Sequence, residues 1–354
     1  MNRLHVIIPA GGVGSRLWPL SRKDRPKFLL DLRMSGKSLL QETIDRLAPI
    51  AASFTIVTGR AHEQAVRAQI PQGLDITVLV EPQGRDSMPA IGLAAYVIRQ
   101  RFGDEAPIAS FAADHAITHP QVLLDCVERA LEVAQKGYVV TIGLRPLSPS
   151  TAYGYIAPGE PFEMESPEKG SIVRSFVEKP DEETAKQYCE QGYLWNAGMF
   201  IMTAGTLARA LTRFHPDMDS HLSAIGSQWG SESFAQTLSE EWPALTKIAI
   251  DHAIAEPLAS EGGVAVVPAT DMGWTDVGDF DALAQISSEG QALRIESPDS
   301  FVRSLTGQKI VLVGAPNMAV IATEDAILVV DRNRAQDVKH VVDQLTQSGE
   351  EELL

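Results

Sequence analysis

Hydrophobic and polar positions follow two alternating periods over the first 143 residues. Short β-branched runs at Leu4 to Pro9, Phe54 to Thr58, Ile76 to Val80, Ile108 to Ala112 and Tyr138 to Gly143 predict strands. Between them, amphipathic stretches at Leu39 to Leu47, His62 to Gln69, Ser87 to Phe102 and Gln121 to Gln135 predict helices. Strand, helix, strand repetition implies parallel pairing through right-handed crossovers, hence an α/β fold on a doubly wound, mostly parallel, Rossmann-like sheet. Ligands of such sheets sit beyond the carboxyl ends of the strands.

The pattern changes after Gly143. Tyr153 to Ala157, Ser171 to Val177 and Met199 to Thr203 read as strands, with a helix at Asp181 to Glu190 and a helix-rich stretch afterwards. This part is expected to form a second lobe against the first sheet and to supply the pocket of a second substrate. Four short strands (Phe301 to Ser304, Lys309 to Val313, Met318 to Ala322, Ile327 to Val330) and a last helix near Ala335 to Leu345 predict a small β-rich C-terminal domain. The polar stretch Glu289 to Pro298 marks the boundary. The expected division is thus 1–290, with a nucleotide-binding part near 1–143 and a second-substrate part near 144–290, followed by 298–354.

The first strand runs straight into Gly11, Gly12 and Gly14 and leads to an expected helix. There, backbone N–H groups can converge on phosphate oxygens without Cβ obstruction. Two familiar versions of such a loop fail. A dinucleotide fingerprint needs a third glycine where Leu17 stands and an acid about 20 residues on, where Gly36, Lys37 and Ser38 offer none. A Walker loop ending at Gly36-Lys37-Ser38 needs glycine where Asp31 stands.

Charge sharpens the picture. The chain of 354 residues carries 30 Lys and Arg against 46 Asp and Glu, a formal charge of −16, which argues against a nucleic-acid partner. Yet Arg16, Arg22, Lys23, Arg25 and Lys27 crowd twelve positions after the glycines. A solvated basic loop would explain them blandly. Transfer of a triphosphate's α-phosphoryl group explains them better, because the departing pyrophosphate needs cations beside the loop. Only Cys126 and Cys189 occur, both in predicted helices, so neither a disulfide framework nor a thiolate metal site is expected. No apolar signal core or run of 18 apolar residues appears, and the expectation is a soluble cytoplasmic protein without membrane attachment.

The segment Pro9-Ala10-Gly11-Gly12-Val13-Gly14-Ser15-Arg16-Leu17-Trp18-Pro19-Leu20-Ser21-Arg22, with Pro26-Lys27, resembles the signature of bacterial mannose-1-phosphate guanylyltransferases, members of the sugar-phosphate nucleotidyltransferases. Further blocks agree in order: Glu81-Pro82-Gln83-Gly84-Arg85-Asp86, Ala113-Asp114-His115, Tyr153-Gly154-Tyr155-Ile156, Phe176-Val177-Glu178-Lys179-Pro180, Trp195-Asn196-Ala197-Gly198-Met199-Phe200, Met272-Gly273-Trp274-Thr275-Asp276-Val277-Gly278 and Ala335-Gln336-Asp337-Val338-Lys339. The Trp18-Pro19-Leu20-Ser21-Arg22 continuation separates the mannose group from uridylyl and thymidylyl relatives. Ala152 and Asp86-Ser87-Met88 depart from the usual pattern, and both are expected beside the pocket. Long family members carry a fused isomerase domain; none is expected here.

The resemblance implies transfer of GMP from GTP to mannose 1-phosphate. It places Ala10, Gly11, Gly12, Gly14, Ser15, Glu81 and Arg85 on the nucleotide, and Gly154, Glu178, Asn196 and Gly198 on the sugar. Arg16, Lys27, Asp114, Lys179 and Asp276 are the expected catalytic set, with Lys179 meeting the sugar phosphate. Mg²⁺ is expected on Asp114 and Asp276, since that ion uses one or two carboxylates and completes its shell with phosphates and water. His115 is left out, as hard-oxygen chemistry disfavours imidazole. Glu81 stands where thymidylyl relatives place a base-reading Gln; a carboxylate accepts from guanine N1–H and the N2 amino group together, where uracil offers one donor. Singly, Glu81 also fits a strand-end surface acid, each Asp a turn residue and Glu178-Lys179-Pro180 a charged turn. Two other functions stay open. One is transfer to another sugar 1-phosphate, such as that of glucose or a heptose. The other is a non-catalytic nucleotide-sugar-binding regulatory subunit, which would be expected to lose Arg16, Lys27 or the Asp pair. A homodimer through the C-terminal region is also expected.

Overall fold

The computed structural model describes residues 4–162, 169–287 and 292–354. Part of the expected boundary segment, residues 289–291, therefore lies outside the described residues. The elements come in the expected order: β1 (Leu4–Ala10), α1 (Leu39–Leu47), β2 (Ala51–Gly59), α2 (Glu63–Gln69), β3 (Ile76–Glu81), α3 (Ser87–Phe102), β4 (Pro107–Ser110), β5 (Ala116–Ile117), α4 (Pro120–Ala134) and β6 (Val139–Leu144). The apolar faces of these helices cover a sheet whose inner strands β1, β4 and β6 are buried along nearly their whole length, as strands flanked by helices on both faces are.

β3, β2, β1 and β4 pair in parallel in that order, so Ala10, Gly59 and Glu81 end side by side. The Thr58 hydroxyl donates to the Ala10 carbonyl at 2.8 Å and stitches two of these ends together. Beyond β4 the sheet turns mixed. β7 (Gly154–Pro161), β8 (Ser171–Val177), α5 (Glu182–Glu190) and β9 (Leu194–Thr203) follow in sequence, and β9 inserts antiparallel between β4 and β6. The expected separate lobe is thus corrected: β7, β8 and β9 belong to the same nine-stranded sheet, together with β10 (Val264–Ala269). Pairing of β7 with both β8 and β9 closes that end of the sheet on itself.

Three helices, α6 (Ala204–Phe214), α7 (Pro216–Ser227) and α8 (Phe234–Glu241), pack with α3 in one hydrophobic core and account for the helix-rich stretch. β11 (Trp274–Thr275) and α10 follow, counting the short α9 (Glu256–Ala259) before α10 (Phe280–Ile286). In the C-terminal part, β12 (Ala292–Ile295) pairs in parallel with β14 (Ile310–Val313), and β13 (Phe301–Ser304) with β15 (Met318–Ala322). Parallel pairing between strands two apart is the geometry of a coil wound in layers. β16 (Ile327–Asp331) closes it antiparallel to β15, and a 3₁₀ segment, Arg332–Asp337, leads into α11 (Val338–Ser348). Leu17, Trp18 and Leu20, just after the glycine loop, share one apolar core with Phe280, Leu283, Phe301, Ile321 and Val338. Among the described residues no helix is long and apolar enough to cross a membrane.

Candidate active site

The glycine loop follows β1 but does not open an α-helix, contrary to expectation. A single 3₁₀ turn, Ser15–Leu17, follows, because Pro19 lacks the N–H that would continue it. The loop therefore offers backbone amides and side chains, without a helix N-terminus behind them. Gly14 has φ +78° and its missing Cβ would lie 2.7 Å from Lys27 Cβ, so glycine serves both the left-handed backbone and the close approach of Lys27. The Val13 carbonyl accepts from Lys27 N at 3.0 Å and locks the two segments together.

Lys27 is buried, and its Nζ lies 2.6 Å from Asp114 Oδ2 and 2.5 Å from the Asp276 carbonyl. The two acids, 162 positions apart in the chain, are brought together by a two-residue ladder: Trp274 pairs with Ile117 and Thr275 with Ala116, so the next step sets Asp276 toward His115. Burial works to raise the Asp114 pKa, but the Lys27 ammonium and His115 outweigh it and hold the carboxyl below its ordinary value. Asp276 Oδ1 accepts from the Tyr153 hydroxyl at 3.1 Å. Burial, followed by the Asp276 carboxylate, pushes the Tyr153 phenol up, so it stays a donor. The Trp274 indole, a donor only, meets His115 Nδ1 at 3.2 Å, which leaves the imidazole proton on Nε2. Burial lowers the His115 pKa. Val277, a β-branched residue with φ +48°, follows Asp276 directly; Asp86 (φ +70°) and Lys179 (φ +47°) show similar backbone strain in other signature blocks.

Glu81, the last residue of β3, is buried; its Oε1 lies near where a Gly11 Cβ would sit, and its Oε2 has no hydrogen-bond partner among the described residues. Burial raises its pKa to about 7. It is thus an acceptor facing the glycine loop with one oxygen to spare. Arg85, expected on the nucleotide, donates from its guanidinium to the Leu245 carbonyl. Met88 lies wholly within the core of α3, so that departure from the family pattern does not touch a pocket.

On the other side of Asp276 a cavity of about 190 Å³ is lined by Ala152, Tyr153, Gly154, Glu178, Asn196, Gly198 and Asp251. Strand register assembles it: Gly154 pairs with Asn196, and Tyr155 with Val177, the residue before Glu178. A Cβ on Gly154 would meet Glu178 Oε2, so the glycine lets that carboxylate lie close against the strand. Asn196 Oδ1 accepts from Gly198 N at 3.1 Å, which aims its Nδ2 at Asp251 Oδ1, 2.5 Å away. Asp251 opens a π-helical segment, Asp251–Ala255, and burial raises its pKa against the opposing effect of Asn196. Sequence reasoning missed it, since an isolated acid in a helical stretch carries no spacing signal. Lys179 does not line this cavity; it is mostly exposed and its Nζ lies 2.6 Å from Glu178 Oε1.

The basic cluster divides. Lys27 lies among the acids and Arg16 donates to Gln336 Oε1 at 2.7 Å. Arg22 instead pairs with Asp325 at 2.8 Å and donates to the Leu353 carbonyl. Lys23 and Arg25 join it along a groove of about 680 Å³ that also carries Glu324, Asp325, Glu351 and Glu352. These three cations therefore face the C-terminal part and its acids. Gly36-Lys37-Ser38 resolves as a helix start: the Ser38 hydroxyl accepts from Gln41 N, and Gln41 Oε1 accepts from Ser38 N.

Asp114 and Asp276 offer hard oxygen donors, and no group of three or more metal-ligating side chains occurs among the described residues. The Lys27 ammonium meets the Asp114 carboxylate and the Asp276 backbone carbonyl, while the Asp276 carboxylate takes the Tyr153 hydroxyl; a pair of such carboxylates fits an ion that takes few protein ligands and draws the rest from phosphate and water.

Known proteins resemble this chain over nearly its whole length. Residues 5–292 match the nucleotidyl transferase family, and residues 290–345 match the MannoseP isomerase/GMP-like beta-helix domain. The mannose-1-phosphate guanylyltransferase of Escherichia coli K12 is 35% identical over 365 residues, covering 99% of this chain and 75% of that protein. The xanthan biosynthesis protein XanB of Xanthomonas campestris pv. campestris B100 is 34% identical, again over 99% of this chain and 75% of the relative. A crystal structure from Thermus thermophilus, described as a mannose-1-phosphate geranyltransferase, superposes with a TM-score of 0.82 at 31% identity, covering 97% of this chain and 99% of that one. The chain therefore belongs to the nucleotidyl transferase family and, within it, to the mannose-1-phosphate guanylyltransferases.

Proposed function

We propose that this chain transfers GMP from GTP to α-D-mannose 1-phosphate, giving GDP-mannose and pyrophosphate, with the chemistry carried by residues 1–290. One juxtaposition carries the reading: the buried Lys27–Asp114–Asp276 cluster separates a glycine loop and the unpartnered Glu81 from a small pocket of hydroxyl-binding side chains.

In this reading Ala10, Gly11, Gly12, Gly14 and Ser15 cradle the triphosphate, Glu81 accepts from guanine N1–H and N2, and Arg85 lies at the base end of the site. Glu178, Asn196 and Asp251 bond mannose hydroxyls, with Gly154 and Gly198 giving the ring room, and Lys179 at the rim meets the sugar phosphate. An oxygen of mannose 1-phosphate attacks the α-phosphorus in line. The bond to the bridging oxygen breaks, and pyrophosphate leaves with the electron pair toward Arg16 and Lys27. Asp114 and Asp276 would hold Mg²⁺, which supplies charge neutralisation for the crowded phosphate oxygens. No protein nucleophile is required, because positioning and electrostatics suffice for phosphoryl transfer.

Pyrophosphate release should be measured for GTP, ITP and UTP, each paired with mannose 1-phosphate and glucose 1-phosphate. Highest kcat/KM for GTP with mannose 1-phosphate is expected, with ITP about tenfold lower for want of one hydrogen bond. Preference for UTP or for glucose 1-phosphate would overturn the reading.

A further inference from the structure

Arg16 belongs to the glycine-loop signature, yet it meets a side chain from the far end of the chain. Its Nη1 donates to Gln336 Oε1 at 2.7 Å, and Gln336 lies in the 3₁₀ segment Arg332–Asp337 of the C-terminal part. The Gln336 amide also donates from Nε2 to Asp279 Oδ2. Asp279 is fixed in turn: it is buried, and its Oδ1 accepts from Ala282 N at 2.9 Å at the start of α10.

The residue types leave little freedom. A guanidinium only donates and a carboxylate only accepts, so the link between them must do both, which an amide does and a carboxylate cannot. Asp279 takes the NH₂ end, and the Gln336 carbonyl is thereby forced toward Arg16. The Leu17 and Trp18 side chains anchor the same loop in the C-terminal core, among Phe301 and Val338.

We infer that Gln336 is a positioning residue for guanylyl transfer: held by Asp279, it sets the Arg16 guanidinium beside the phosphate loop, where the departing pyrophosphate is met, and the C-terminal domain is thereby part of the active site. The inference rests on the reading that Arg16 meets the departing pyrophosphate.

The test is a double-mutant cycle on the full chain with Arg16→Ala, Gln336→Ala and the pair. Gln336 is exposed, so its truncation leaves the fold standing. Pyrophosphate affinity is read by calorimetry, and KM for each substrate from turnover. Gln336→Ala should weaken pyrophosphate binding and raise KM for GTP about tenfold, the scale of one charge-assisted hydrogen bond, with KM for mannose 1-phosphate unchanged. In the Arg16→Ala background it should add nothing. An undiminished effect in that background, or an equal rise in the sugar-phosphate KM, overturns the inference while the proposed function stands. Absence of pyrophosphate binding by the parent chain, or an Arg16→Ala chain that binds it normally, defeats the phosphate-loop reading and the inference with it.

Discussion

Lys27 Nζ lies 2.6 Å from Asp114 Oδ2, an ion pair between the end of the glycine-loop signature and the loop after β4. The same ammonium reaches the Asp276 carbonyl, so one buried cation organises three segments distant in sequence. Lys27→Ala should lower kcat by about two to three orders of magnitude, the usual effect of removing one preorganised electrostatic group. Circular dichroism should show a folded chain. Asp276→Ala should behave alike, and near-normal turnover in either variant would contradict the assignment.

Glu81 predicts a pH dependence. Its folded pKa of about 7 lies above the unfolded value of 4.5, so between these values the folded chain holds a proton that the unfolded chain releases. The associated stability is fully present below pH 4.5 and is lost as pH rises through 7; at higher pH the loss amounts to about 3 kcal/mol. Glu81→Gln should therefore unfold at higher temperature than the parent at pH 8.5 and show no such advantage at pH 4.5, in parallel thermal scans. GTP affinity of the parent should climb from pH 6 to pH 8 more steeply than that of the variant, because only the ionised acid accepts both guanine donors.

Asp251→Asn tests the second pocket. The change removes the negative charge that Asn196 Nδ2 meets at 2.5 Å and turns the other carboxylate oxygen, an acceptor, into a donor NH₂. KM for mannose 1-phosphate should rise about tenfold, the value of one or two hydrogen bonds, with KM for GTP unaltered in initial-rate kinetics. A shift in both KM values alike would indicate general loosening instead.

Much of this was legible in local sequence and the remainder depended on long-range pairing. Helices α1 and α3 match their predicted spans because apolar periodicity and the caps Ser38 and Asp86 bracket them. The glycine loop announced itself as well, but the expected helix after it was lost to Pro19. The insertion of β9 between β4 and β6 follows from pairing across some 50 to 90 positions, which no local pattern encodes. Asp114 and Asp276 were found through signature blocks, whereas their proximity depends on the short β5–β11 ladder. Asp251 had no local signature, and Gln336, though it stands in a signature block, had none for its role: each acquires a role only from the side chain it meets.

Phe280 links fold and site. It is fully buried in the core shared by Leu17, Trp18 and the C-terminal strands. Phe280→Ala should cost about 3–5 kcal/mol. It should also raise KM for GTP at temperatures below unfolding, since the glycine loop rests on that core. Thermal melts and initial rates on the same preparation check both, and a large stability loss with unaltered GTP kinetics would uncouple the two.

The most direct measurement is the product balance. GTP, α-D-mannose 1-phosphate and Mg²⁺ are incubated with the parent chain and followed by phosphorus NMR. GDP-mannose and pyrophosphate should appear in equal amounts as GTP disappears, and not with the Lys27→Ala chain. Hydrolysis of GTP without a sugar nucleotide, or no consumption of GTP at all, would contradict the account.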